Sequence, residues 1–171
     1  MGEEKRTALM ALEKAIQIEK DGHQFYLQAL ERTTDAKGQE MFRYLANAEV
    51  EHLRIVQKQY DSLKGGKWWL PLVEAPSEPL DMERTLFPKG REALEKMVRH
   101  DDSDLDALLL ALGFEQESYE LYRQGYAQTE DPQGKAMYEY LAEMEKGHFE
   151  MLMLNYEHLS LTGSWIGLRG G

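Results

Sequence analysis

The sequence predicts an all-α protein, a four-helix bundle made of two copies of one helical hairpin. A long middle crossover, expected to contain a short extra helix, joins the copies. Three observations predict this. The chain matches itself without gaps at a fixed offset, its apolar residues recur at helical spacing, and glycine and proline gather between the matching parts.

Residues 15–69 laid over 111–165, an offset of 96, pair identical residues at many places. Among them are Ala15 with Ala111, Glu19 with Glu115, Tyr26 with Tyr122, Asp35 with Asp131, and Gly38 with Gly134. The series continues through Met41 and Met137, Leu45 and Leu141, Glu49 and Glu145, and His52 and His148, ending at Trp69 and Trp165. A register held over that length marks an internal duplication.

Each copy reads as a helical hairpin. Leu9, Leu12, Ile16, Ile18, Phe25 and Tyr26 recur at helical spacing, with Thr7 as the expected N-cap and Ser103 as its counterpart. A turn is expected near Thr33–Gly38 and a second helix from about Gln39 to Leu63. The second copy runs from Ser103 to about Tyr126, turns through Asp131-Pro132-Gln133-Gly134, and resumes to about Leu159. Gly65-Gly66 closes the first copy, Pro71, Pro76 and Pro79 keep the next stretch extended, and a short helix is expected over Lys89–His100. The 171 residues thus form a single domain: hairpin one over about 7–63, crossover over 64–102, hairpin two over 103–159, and a tail over 160–171.

Composition excludes several classes. No cysteine is present, which removes disulfides, zinc–thiolate sites, iron–sulfur clusters and any thiolate electron carrier. A net charge of −11 argues against a nucleic-acid groove, which needs a basic footprint. The longest apolar run, Leu108–Leu112, is too short to span a membrane, and no apolar leader follows Met1; a cytoplasmic protein is expected.

The chemistry-bearing pattern is Glu-x-x-His, found at Glu49/His52 and Glu145/His148. Residues three apart share a helix face, so one carboxylate and one imidazole can meet the same ion. Glu19 and Glu115 stand thirty residues upstream of Glu49 and Glu145, at the same height in each hairpin. A lone Glu-x-x-His is ordinarily a solvated pair. Here both motifs and both upstream Glu are present in both copies while most other polar positions differ. Two hairpins packed face to face would bring four Glu and two His into one core layer. Four ionised carboxylates would repel one another there, and two divalent cations would cancel their charge. Mixed carboxylate and imidazole ligation suits iron or manganese, with zinc or cobalt able to substitute in vitro. Glu49 and Glu145 are expected to bridge, with Glu19 and Glu115 terminal and one His on each metal. Tyr26 and Tyr122 are candidates to donate hydrogen bonds to the ligands, and the small residues Ala15, Gly22, Ala111 and Ser118 beside them suit either close packing or a small ligand. His23, His100 and His158 have no counterpart in the repeat and are not expected to bind metal. Trp69 and Trp165 are expected to seal the bundle ends.

These two Glu and two Glu-x-x-His motifs resemble the ferritin-like di-iron carboxylate proteins, for which this handful of ligands on four helices is characteristic. Within them the chain is most similar to the rubrerythrin group in its form without a rubredoxin-type domain. The resemblance covers about Thr7–Leu63 and Ser103–Leu159. It implies reduction of hydrogen peroxide, or of dioxygen, at two iron ions, with electrons from a separate donor protein because no Cys-x-x-Cys module is present. It also implies a further Glu one turn after the third-helix ligand. This chain has Ser118 there, with Glu117 and Glu120 directed elsewhere, so a more symmetric site is expected, similar to that of bacterioferritin. Two other classes remain open: ferrous oxidation for iron sequestration, and a helical interaction module with a structural metal site. A homodimer is expected in either case.

Overall fold

The computed structural model describes residues 2–72 and 103–168. Those residues form four long helices: α1 (Glu3–Arg32), α2 (Ala36–Lys64), α3 (Ser103–Gln128) and α4 (Pro132–Thr162). The helix expected over Lys89–His100 lies outside the described residues, as do Pro76 and Pro79. Backbones approach closely within each hairpin, α1 with α2 and α3 with α4, and between hairpins α1 lies along α3. Contacts between α1 and α3 run antiparallel, with Tyr26 bonded to Glu115 and, seven residues earlier in α1, Glu19 bonded to Tyr122. It follows that α2 and α3 are parallel. Lys64 and Ser103 therefore sit at opposite ends of the bundle, and the chain between them is a crossover rather than a tight turn. No helix among the described residues is long and apolar enough to cross a membrane.

Hairpin turns are set by one device used twice. Asp35 caps α2 by accepting from the amides of Lys37 and Gly38, and Asp131 caps α4 by accepting from Gln133 and Gly134. Those caps start both second helices three residues or so earlier than their apolar pattern suggests, so Gly38 and Gly134 belong to the first helical turn. Pro132 follows its cap, where a missing N–H costs nothing. The expected N-cap Thr7 is corrected. Helix α1 begins at Glu3 behind Gly2, because Glu3 and Glu4 place negative charge at the positive end of the helix dipole and extend it backward.

Trp69 and Trp165 close the bundle ends, each over the other copy's turn. Trp165, following hairpin two, lies on Gly38 and packs edge-on against Phe42; Trp69, following hairpin one, lies on Gly134 and packs against Tyr138. A buried amide at the related positions Gln59 and Asn155 holds each strap in place. Gln59 both donates to and accepts from the backbone of Leu70, and Asn155 donates to the Gly167 carbonyl and accepts from the amides of Ile166 and Gly167. The apolar core is split into two clusters. One gathers Tyr26, Phe42 and Leu112 with Trp165, the other Leu12, Val56 and Tyr138 with Trp69. The methionines Met41, Met137 and Met151 pack within these clusters, as their helical spacing suggests.

The close approach at the turns yields a stability prediction. A Cβ on Gly134 would lie 2.6 Å from Thr129 and 3.0 Å from Trp69, and on Gly38 2.7 Å from Thr33 and 2.9 Å from Trp165. Alanine is the better helix former, yet overpacking outweighs that preference here. Gly134→Ala and Gly38→Ala are each expected to lower stability by about 1–3 kcal/mol. Urea midpoints measure this, and a midpoint that rose would show the contact to be slack.

Candidate metal centre

Between the two apolar clusters lies a polar layer. Glu19 and Glu49 each stand thirteen residues from the turn end of their helices, as do Glu115 and Glu145, which puts all four about 20 Å from their turns. His52 and His148 follow one turn after their glutamates. All six side chains are buried, with relative exposures of 3% or less. Every candidate ligand read from the sequence is therefore in one layer.

Ligand atoms converge in two overlapping groups, each within 4.8 Å: Glu19, Glu49, His52 and Glu145, and Glu49, Glu115, Glu145 and His148. Glu49 and Glu145 belong to both. His52 Nδ1 is 2.7 Å from Glu145 Oε1 and 3.6 Å from Glu19 Oε2. His148 Nδ1 is 3.7 Å from Glu115 Oε2 and 4.0 Å from Glu145 Oε2. The two imidazoles lie nearly parallel, centroids 5.7 Å apart, and Tyr44 stands edge-on to His148. So α2 and α4 meet through the polar layer itself.

Tyrosines brace the layer across the halves. Tyr26 donates to Glu115 Oε1 at 2.6 Å, and Tyr122 donates to Glu19 Oε1. The repeat had singled out both tyrosines, but not that each would serve the opposite hairpin. The space beside Gly22 is already taken. A Cβ on Gly22 would come within 3.2 Å of Glu49 Oε2, so the Glu49 carboxylate itself fills that space. Ser118 turns back to donate to the Phe114 carbonyl, and Glu117 and Glu120 are exposed. Neither supplies the extra carboxylate. His23 donates from Nδ1 to the Ala46 carbonyl and His158 to the Ser164 carbonyl, both away from the layer; His100 lies outside the described residues.

Protonation shows how the layer survives without a cation. Burial, with the charge of Glu19, pushes Glu49 well above its ordinary value of 4.5, and burial with Glu115 does the same to Glu145. Burial alone would raise Glu19 and Glu115 too. Glu19 is instead held low, chiefly by the charge of His52, and Glu115 by its hydrogen bond with Glu145 and the charge of His148. Burial would lower His52, but Glu19 outweighs it and raises the imidazole. Burial and mutual repulsion thus favour the protonated forms of Glu49 and Glu145, and divalent cations would relieve the same repulsion.

The donor set fits metal. Glu19 Oε2, Glu115 Oε2, both Glu145 oxygens and the ring nitrogens of His52 and His148 are buried with no hydrogen-bond partner outside the layer itself. Orphaned buried acceptors in such number are costly unless a cation satisfies them. Two divalent ions would do so, each with one terminal Glu and one His, sharing Glu49 and Glu145.

Comparison with known proteins agrees with this geometry. The family model described as Rubrerythrin matches residues 11–156. A solved structure of a hypothetical protein from Pyrococcus furiosus superposes with a TM-score of 0.66 at 24% identity, covering 90% of each chain; the likeness is one of fold. No curated protein matches.

The pKa shifts set a pH dependence for the metal-free protein. Glu49 and Glu145 bind protons more tightly folded than unfolded, so their contribution is fully present below the ordinary carboxylate value and is lost as pH rises through their raised values. His52, also raised, acts in the same direction, above 6.5. Glu19 and Glu115, lowered, act oppositely, but only as pH falls below 4.5. Above about pH 5, then, the melting temperature of metal-free protein is expected to fall with pH. Glu49→Gln with Glu145→Gln should flatten that fall; an equally steep profile in the double variant would refute the assignment. Removing one brace, by Tyr26→Phe, is expected to weaken metal affinity by roughly 10- to 100-fold, as titration with a divalent ion would record.

Proposed function

Because this chain belongs to the rubrerythrin family, we propose that its buried layer is a two-iron redox centre that reduces hydrogen peroxide with electrons from a separate donor. The observation that carries this reading is the sharing of Glu49 and Glu145 by both ligand groups, which makes the site one coupled centre rather than two independent ones. When bound, a pair of ferrous ions supplies the two electrons that turn peroxide into two waters. Iron is favoured over zinc by the carboxylate-rich donor set without thiolate.

The chain's own residues provide the rest. Glu19, Glu49, Glu115 and Glu145 supply four negative charges, which compensate a centre whose charge changes on oxidation. His52 and His148 contribute neutral nitrogen. Tyr26 and Tyr122 hold the terminal carboxylates in place, so that less rearrangement accompanies electron loss. Leu12, Val56, Leu112 and Leu152 are fully buried in the flanking clusters, which keep bulk water from the layer. With no cysteine among these 171 residues, this reading takes its electrons from a separate donor.

Anaerobic protein loaded with ferrous iron should take up two ions per chain and be oxidised by one peroxide per ion pair, faster than by dioxygen. Stopped-flow absorbance and metal analysis test this. Glu49→Ala and Glu145→Ala should each abolish paired binding. Uptake far beyond two ions, with a large assembly in light scattering, would favour iron sequestration instead. Unreactive ferrous protein would leave the metal a structural role.

A further inference from the structure

The two halves of the bundle diverge along a line of aromatic side chains. From Glu19, the hydrogen-bonded Tyr122 leads to Tyr138 with ring centroids 6.3 Å apart, and Tyr138 leads to Trp69 at 5.9 Å. The related line from Glu115 runs through Tyr26 and Phe42 to Trp165, at 6.2 and 5.7 Å. The spacings match; the chemistry does not. Tyrosine and tryptophan can each yield one electron to a strong oxidant, whereas a phenyl ring cannot.

The tyrosine-bearing line is also finished differently at its outer end. Gly125, where the other half has Ala29, makes room for the ring: a Cβ there would lie 2.5 Å from Tyr138. A cleft of about 700 Å³ is lined by Tyr138, Trp69 and Trp68. Trp68 is 68% exposed, and the related position in the other half is Ser164.

We infer that Tyr122, Tyr138 and Trp69 form a one-electron relay between the acidic layer and this cleft, and that the opposite line is interrupted at Phe42. The relay rests on the redox reading of the layer. Tyr122 gives one electron to an oxidant of the peroxide class and its phenolic proton to the Glu19 oxygen that already accepts its hydrogen bond. Tyr138 reduces Tyr122, which recovers that proton, and Tyr138 exchanges its own proton with water in the cleft. Trp69 then reduces Tyr138, and a soluble one-electron reductant such as ascorbate reduces Trp69. Each pass takes one electron from the reductant and returns the three side chains to their starting state; two passes, with two protons drawn from solvent, break the O–O bond and reduce one peroxide to two waters.

The test uses the full chain free of metal, so that it does not depend on peroxide turnover. Azide radicals made by pulse radiolysis oxidise indole rings first. This reads the Trp69–Tyr138 link in the direction opposite to the relay: the tryptophan radical band should decay at a rate independent of protein concentration while the tyrosyl band grows. Tyr138→Phe should slow this transfer by more than an order of magnitude, and the fold should tolerate it because Phe42 fills the related position. Trp69→Phe cuts the line at a second point with the same expected result, whereas Trp165→Phe should leave the rate unchanged. Equal rates in the wild type and in either cut variant would overturn the relay, as would loss of transfer in Trp165→Phe. Intact transfer without peroxide turnover would count against the redox reading alone, and turnover with no transfer against the relay alone.

Discussion

Four carboxylates and two imidazoles packed into a water-free layer impose the constraint on which the rest of this molecule depends. Neither hairpin can bury its own glutamates alone, because half the compensating partners come from the other copy. The layer holds together only where both hairpins are present and something positive stands among the oxygens. Protons on Glu49 and Glu145 can fill that role, at the cost of leaving ring nitrogens and carboxylate oxygens without partners. Divalent cations would satisfy those atoms as well as the charge. The bundle is thereby built around a layer whose donor set suits metal.

Reciprocity between the copies is the means by which the fold enforces this. Tyr26 braces Glu115 and Tyr122 braces Glu19, while Trp69 and Trp165 each cover the turn of the hairpin they do not follow. A slip of one hairpin along the other would break both tyrosine bonds and lift both indoles from Gly38 and Gly134. The register that aligns the glutamates is therefore held at three levels of the bundle, at each end and in the middle. Gln59 and Asn155 contribute by fixing the straps that carry the indoles.

All six candidate ligands were legible in the sequence because duplication acts as a filter: a Glu or His needed for the layer is present in both copies, while solvated positions drift apart. The heights of the glutamates also followed from counting alone, since a displaced helix end shifts both members of a pair equally. What the sequence did not reveal were contacts that depend on how the hairpins cross. An offset of 96 relates Tyr26 to Tyr122 but does not say which carboxylate each meets. Helix starts were displaced for a local reason, the caps Asp35 and Asp131 and the charge at Glu3 and Glu4 acting ahead of the apolar pattern. At Gly22 the sequence left close packing and a small ligand both open, because the conformation of Glu49 is a tertiary fact.

Symmetry in the layer and asymmetry around it answer to different demands. Charge compensation treats both metal positions alike, and the ligands are identical in the two copies. Delivery of electrons from another molecule carries no such requirement, since one route suffices and a second would expose another oxidisable path to the same oxidant. The departures of Tyr138 from Phe42, Gly125 from Ala29 and Trp68 from Ser164 all fall at one end of the bundle, and all lie outside the ligand set. On the proposed reading, the ligands kept in both copies serve binding, and the changes grouped at this end serve connection to another molecule.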